Sequence, residues 1–383
     1  MRKTKLLLFI ALLLGTVGAA KADVATTDKV EISSLTVEPG SSDVYSFTVS
    51  LEGSDKLYTA YQVDLQFPEG LEPAYNNKGQ LRVSMVKSSL YPYSVEEEED
   101  EEGEIVEVKS YTHTLNCAFN EGSTLRVVVM STANEVFTKT SGSLFKVYVQ
   151  TTPYLKPGDV EIKVKNVKFV TPDETKYLPE DYVSTAVQAT TTSTLTLKVS
   201  AANKFGTCIL PFDYALPADG SLEAYTCEAY TDDALVLTKV TEMAAYTPYI
   251  LYSDNGFSAT ISGTVDAAKY PAGGTVKSGH LVGTLVPCEL TEGSYVMQNQ
   301  GDGPMFYRVG DVPFALSAGK CYVELPEGTN VTSLRIGGST TGIESIHNSE
   351  FIIQNCVYNL LGQPVSNMQP GHVYIVNGRK VIN

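Results

Sequence analysis

The residues of this 383-residue chain best placed to do chemistry are four histidines, six cysteines and one run of carboxylates. The histidines, His113, His280, His347 and His372, fall in separate segments. His113, Leu115 and Cys117 share one face of an expected strand. A catalytic Cys/His pair needs its base within hydrogen-bond reach of the thiolate. Residues four apart on a strand lie about 13 Å apart, so the two are strand neighbours and not a dyad. No CxxC occurs, which argues against a zinc site or a thioredoxin-like motif. Cys208 and Cys227 flank the turn Pro217-Ala218-Asp219-Gly220 almost symmetrically, and a hairpin there would set them opposite one another as a disulfide. The alternative is that all six cysteines are small buried hydrophobes. The carboxylates run from Glu96 to Glu104 and hold half of the formal charge of −16. Calcium loops converge oxygens at DxDxDG-like spacing, which this run lacks. Adjacent like charges repel, so an exposed hairpin tip or loop is expected here.

Other catalytic signatures are missing. There is no GxSxG elbow, HExxH, GxGxxG, P-loop or EF-hand-type loop, and no cofactor, metal site or catalytic residue is expected. Paired carboxylates for glycoside hydrolysis are invisible to sequence spacing, so a glycoside-active enzyme stays open as an alternative. Tyr is abundant (23) and Trp absent. A glycan site needs exposed aromatic faces, and Tyr91, Tyr93, Tyr246 and Tyr249 are the candidates. An ordinary half-buried strand residue is the preferred reading of each, and the absence of Trp weighs further against a glycan site. The acidic balance disfavours nucleic acid and anionic lipid as partners.

The elements that must carry these residues are strands. Tyr45, Phe47, Val49 and Leu51 alternate with polar residues, as do Tyr61, Val63, Leu65 and Phe67 with Gln62, Asp64 and Gln66. Ile162 and Val164 alternate with Glu161, Lys163 and Lys165. Period-two alternation gives one buried and one wet face. Leu125 to Met130 is a continuous apolar run and reads as a central strand. Glu38-Pro39-Gly40, Pro68-Glu69-Gly70 and Lys156-Pro157-Gly158 punctuate the runs. A polar junction at Thr190–Thr194 precedes a second set of alternations, Leu195/Leu197/Val199 and Phe257/Ala259/Ile261, with hairpin signals at Asp219-Gly220 and Asp254-Asn255-Gly256. The reading is all-β: two β-sandwich-like modules in tandem, 29–190 (with the acidic insert 96–104) and 195–336, plus a short C-terminal β-hairpin segment, 342–383.

The first residues form an export signal. Arg2, Lys3 and Lys5 are basic, Leu6–Leu14 is unbroken and apolar, and Ala20-Lys21-Ala22 is a small-x-small cleavage pattern ending at residue 22. The run is shorter than the roughly 20 residues that span a bilayer, and no later segment is apolar enough to do so. No Cys lies near the cleavage point for lipid attachment. Export to the cell surface, or to the periplasm, is expected.

Several stretches resemble known families. Val30–Val37, Pro39-Gly40, Tyr45–Leu51 and Ala60–Leu71, closed by Leu155–Ile162 and Val167-Lys168-Phe169, look like the opening and final strands of cohesin-like and carbohydrate-binding-module-like sandwiches. That resemblance implies a sandwich fold and a tendency toward protein or glycan binding. Phe205–Phe212, Leu222–Thr226, Thr247–Leu251, Val282–Leu285, Tyr295–Asn299, Phe306–Val309 and Ala318–Pro326 resemble a β module of exported proteins from Bacteroidetes-type bacteria, which brings no activity with it. Val357–Val365 and Gly371–Ile382 are similar to the terminal segment of the same secretome. Longer versions of that segment sort proteins for outer-membrane secretion. The short form here reads either as a sorting signal or as hairpins turned at Leu361-Gly362 and Asn377-Gly378. The reading that follows is a non-catalytic secreted or cell-surface binding or scaffolding protein, with a carbohydrate-binding accessory protein as the alternative.

Overall fold

The computed structural model describes residues 23–99, 105–120, 122–231, 233–301, 303–329 and 331–337, with the backbone of four short strands in the C-terminal segment. The expected export signal at 1–22 and Cys356 lie outside the described residues. What is described is β throughout, apart from a 3-10 turn at Ala272–Gly274. Among the described residues no helix is long and apolar enough to cross a membrane.

The first module is a two-sheet sandwich. One sheet joins Lys29–Ile32, Tyr45–Glu52, Gly142–Thr151, Leu71–Pro73 and Val83–Met85. The larger one runs through Lys176–Leu178, Gly158–Val170, Ala60–Gln66, Thr124–Ser131 and His113–Asn120, with Tyr182–Ala189 added along Gly158–Val170 and Leu35–Val37 along Tyr182–Ala189. Phe47, Val49 and Leu51 from one sheet meet Tyr61, Val63, Leu65, Val127, Ile162 and Val164 from the other in a single core. Burying each such side chain stabilises the fold by about 1.5–3 kcal/mol.

One expectation for this module is corrected. Alternation predicts that Gln62 and Asp64 face water, yet both are buried, at 8% and 2% exposed. Ala60–Gln66 is a central strand, and its second face is roofed by polar neighbours. The Arg126 guanidinium donates to both Asp64 oxygens, at 2.7 and 2.6 Å. Asn166 Nδ2 donates to the same carboxylate at 3.0 Å, and Gln62 donates to the Asn166 carbonyl at 3.2 Å. Asn166 sits at φ 50° where the ladder slips between Lys165 and Lys168, and this bulge brings it over the strand. A carboxylate so buried is tolerated because each oxygen is paired.

The second module is built on a ten-stranded sheet that begins Phe205–Ile209, Pro248–Tyr252, Glu223–Tyr230, Ala234–Val240 and ends Lys320–Val323, Leu281–Thr284, Thr275–Ser278. The sheet curls: Ile209 N donates to Gly319 O at 3.3 Å and Cys321 N to Thr207 Oγ1 at 3.1 Å, tying its first strand to one near its far end. Thr192–Val199 pairs with Phe257–Thr264 as a separate ribbon, whose Leu195, Leu197, Val199 and Ile261 pack with Ile209, Leu210 and Leu251. The hairpin signals at Asp219-Gly220 and Asp254-Asn255-Gly256 are corrected. Both glycines take the positive φ expected of a turn, 71° and 81°. The strands on either side do not pair with each other, however: Tyr214–Ala215 pairs with Glu242–Met243, and Phe257–Thr264 with Thr192–Val199. These turns pass the chain from one sheet to another.

The modules are docked. Ser193 Oγ donates to the Pro153 carbonyl at 2.7 Å, Tyr270 Oη to the Tyr154 carbonyl at 2.6 Å, and Thr194 N to the Pro39 carbonyl at 3.0 Å. The Tyr154 ring packs against the core of the second module. In the C-terminal segment Val357–Asn359 pairs with Pro364–Val365 and with Val373–Val376, which pairs in turn with Arg379–Ile382. Val376 stands opposite Arg379; the turn signals Leu361-Gly362 and Asn377-Gly378 lie outside the described residues.

Candidate interaction site

The acidic insert belongs to a ribbon that stands apart from both sheets of the sandwich. Tyr93–Glu99 pairs with Ile105–Tyr111 and with nothing else. Glu96–Glu99 are therefore strand residues rather than loop, while 100–104 lie outside the described residues. The ribbon leaves the module just after Tyr91 and returns at His113, the first residue of the edge strand His113–Asn120.

The register divides its side chains into two faces. On one, Tyr93 stands opposite Tyr111, Val95 opposite Lys109 and Glu97 opposite Glu107. The two Tyr rings lie 5.5 Å apart, with Lys109 Nζ 4.4 Å from the Tyr93 ring and Lys87 Nζ 5.0 Å from the Tyr111 ring. These cation–π contacts hold the ribbon base. On the other face Glu96 stands opposite Val108 and Glu98 opposite Val106. Four of the ten large hydrophobic side chains exposed on the described surface are here: Tyr93 (47%), Val95 (49%), Ile105 (73%) and Val106 (38%). Tyr93, Val95 and Ile105 lie on one face and Val106 on the other; single exposed hydrophobics are ordinary, whereas several gathered on one small element point to a contact surface. The run of glutamates signalled the insert. The Val95, Ile105, Val106 and Val108 residues flanking it were the overlooked sign that it is paired and apolar at its sides.

The four candidate tyrosines do not come together. Tyr91 is 2% exposed: its hydroxyl accepts from Tyr61 at 2.8 Å and donates to the Leu144 carbonyl at 2.8 Å. Tyr249 is 3% exposed and accepts from Ala244 N at 2.9 Å, and Tyr246 donates to the Asp266 carbonyl at 3.0 Å from within the second core. These three offer no face to a sugar, because each ring completes an apolar core and each hydroxyl satisfies a backbone group. Only Tyr93 remains exposed, and it lies on the ribbon.

The Cys208–Cys227 pairing is also corrected, since both are free thiols. Pro248–Tyr252 lies between their strands, pairing with Phe205–Ile209 on one side and Glu223–Tyr230 on the other. Cys208 packs in one cluster and Cys227 in the other. Cys208 instead neighbours Cys321, whose Sγ donates to the Cys208 carbonyl at 3.0 Å. Burial pushes the Cys208 thiol well up, and Cys227 and Cys321 up to about 12, so none is an activated nucleophile.

Carboxylates gather at one open groove, lined by Asp28, Glu31, Glu180, Asp181 and Tyr182 among others. Asp28 is committed to structure there: it accepts from Ser54 N (2.9 Å), Ser54 Oγ (2.8 Å) and the buried Tyr58 hydroxyl (2.5 Å). Among the described residues no cluster of three His, Cys, Asp or Glu side chains is arranged to hold a metal ion.

His113 sits at the ribbon root, 3% exposed, with its ring 5.3 Å from both Tyr91 and Phe137. Burial lowers its pKa below the ordinary 6.5, with the Thr59 backbone and the Glu135 carboxylate opposing. A folded-state pKa below the unfolded value means that the unfolded chain binds the proton first. This stability contribution is complete above pH 6.5 and is lost as pH falls from there toward the folded value. Urea midpoints at pH 7.5 and 5.5 check it: His113→Phe is expected to lose less stability than the parent between the two. An equal loss in both rules out the assignment.

No family model and no curated protein matches the chain. Solved structures that overlap it include a cohesin module of a family 33 glycoside hydrolase from Clostridium perfringens (10% identity, 44% of this chain and 98% of that one, TM-score 0.31). A non-cellulosomal cohesin from the archaeon Archaeoglobus fulgidus overlaps at 16% identity over 43% and 91%, TM-score 0.26. A cohesin–dockerin complex from Clostridium thermocellum matches at 12% identity over 45% and 99%, TM-score 0.27. At these scores the overlaps carry no argument about what this chain binds.

Proposed function

We propose that this chain is an exported, non-catalytic binding protein that engages another protein through the Tyr93–Glu99/Ile105–Tyr111 ribbon of its first module. The observation that carries the reading is the gathering of exposed apolar side chains on that ribbon. A lone two-stranded ribbon is marginally stable in water. Here it is pinned at its base by the Tyr93/Tyr111 pair and the buried Tyr91–His113–Phe137 cluster, so that it is presented by a rigid core. Export rests on the basic start, the Leu6–Leu14 run and the Ala20-Lys21-Ala22 pattern. The test is site-specific photocrosslinking in intact cells from Val106, with Val183, 49% exposed on the strand Tyr182–Ala189, as the comparison site.

A further inference from the structure

The ribbon combines features that narrow the chemistry of what it meets. Its two outer backbone edges are unpaired, since each strand pairs only with the other. Unpaired strand edges are templates for an added strand. One face carries Glu96 and Glu98 along one strand and Val108 and Val106 directly opposite along the other. The opposite face sets Glu97 against Glu107, a like-charge pair that destabilises the free ribbon. Among the described residues no cation pairs with Glu96, Glu97, Glu98 or Glu107, while Lys109 is directed over the Tyr93 ring.

We infer that the ribbon receives an extended segment of another protein that bears lysine or arginine at alternate positions, a partner that deepens the protein-binding reading and rests on it. Successive same-face residues on a strand lie roughly 6.6–6.8 Å apart, so an added strand with basic residues at every second position keeps step with Glu96 and Glu98. Such a strand, added along the open edge of Tyr93–Glu99, satisfies that edge and sets its basic residues beside Glu96 and Glu98, while its alternate residues fall on the opposite face beside Tyr93 and Val95. A second copy of this chain is the poorer occupant, because it brings the same acidic ribbon and a formal charge of −16. Exposed ion pairs contribute little individually, so charge alone does not hold the segment. The backbone edge and apolar contact with Tyr93 and Val95 must act with it.

The experiment titrates the full chain with three labelled eight-residue peptides: alternating Lys–Val, alternating Lys–Gly of equal charge, and alternating Glu–Val. Lys–Val is expected to bind at least tenfold more tightly than Lys–Gly and to weaken at least tenfold between 0.05 and 0.3 M salt, on the order expected for screened contacts. The Glu–Val peptide is expected not to bind, and the parent's preference for Lys–Val is expected to vanish in the variant Glu96→Gln/Glu98→Gln/Glu107→Gln. These exposed positions leave folding intact, and an unchanged melting curve verifies that. Absence of Lys–Val binding, or equal binding to the variant, overturns the inference. Crosslinks from Val106 to a partner that is not basic would overturn the partner chemistry while leaving the ribbon reading standing. No crosslink from Val106 to any protein would remove both.

Discussion

Replacing Tyr91 with Ala is expected to destabilise the first module by about 3–5 kcal/mol, the range for removing a large aromatic from a packed core. Tyr91 meets Phe137 edge-on at 5.6 Å and His113 at 5.3 Å, and its hydroxyl bridges Tyr61 and the Leu144 carbonyl. Tyr91→Phe removes the bridge alone. It leaves a buried carbonyl and a buried hydroxyl without that partner, a loss of about 1–3 kcal/mol. Denaturant titration measures both. A ligand platform on the surface would behave otherwise, because truncating an exposed ring stays within about 0.5 kcal/mol. The size of the effect therefore decides between the two roles that the sequence leaves open for this residue. The same substitution loosens the ribbon root, so proteolysis between Tyr93 and Tyr111 is expected to quicken in Tyr91→Ala.

The second large effect is at the joint between the modules. Tyr154→Ala is expected to cost about 3 kcal/mol, because its ring fills a gap against the second core. It is also expected to split one denaturation transition into two, as the joint keeps its hydrogen bonds at Ser193, Thr194 and Tyr270 but loses its apolar contact. Gly319 supplies the internal control. A Cβ on Gly319 would lie 1.9 Å from the Tyr154 hydroxyl, and the residue sits at φ +78°. Gly319→Ala thus meets both a clash and a left-handed backbone. In a Tyr154→Ala background the clash is gone and only the backbone part, about 1–2 kcal/mol, remains. The two substitutions should be strongly non-additive, as contacting residues are. Additivity would show that Tyr154 does not occupy this site.

What could be read from the sequence was local, and what escaped it was pairing over distance. Alternation identified the strands at Tyr45–Glu52 and Gly158–Val170 and the inward sets Phe47/Val49/Leu51 and Ile162/Val164. It failed at Ala60–Gln66, because burial of Gln62 and Asp64 depends on Arg126 and on an Asn166 bulge some 100 residues away. The turns at Gly220 and Gly256 were recognisable from their residue types. Which strands they join depends on sheet order, which no local window contains. The same gap explains Cys208 and Cys227, whose spacing fits a hairpin until Pro248–Tyr252 is found between them. The glutamate run announced an exposed insert and nothing about its pairing. Charge repulsion pointed to an exposed hairpin tip or loop, whereas the pairing of Tyr93–Glu99 with Ile105–Tyr111 and the exposed Val95, Ile105 and Val106 depend on the apolar residues that flank the glutamates.

The measurement that bears most directly on the ribbon as the contact surface is the photocrosslinking comparison between Val106 and Val183 in intact cells. The expected result is a discrete adduct of defined mass from position 106, none from position 183, and loss of the adduct when Glu96, Glu98 and Glu107 are changed to Gln with the melting curve unchanged. Adducts of equal yield from both positions, or from 183 alone, would contradict the account.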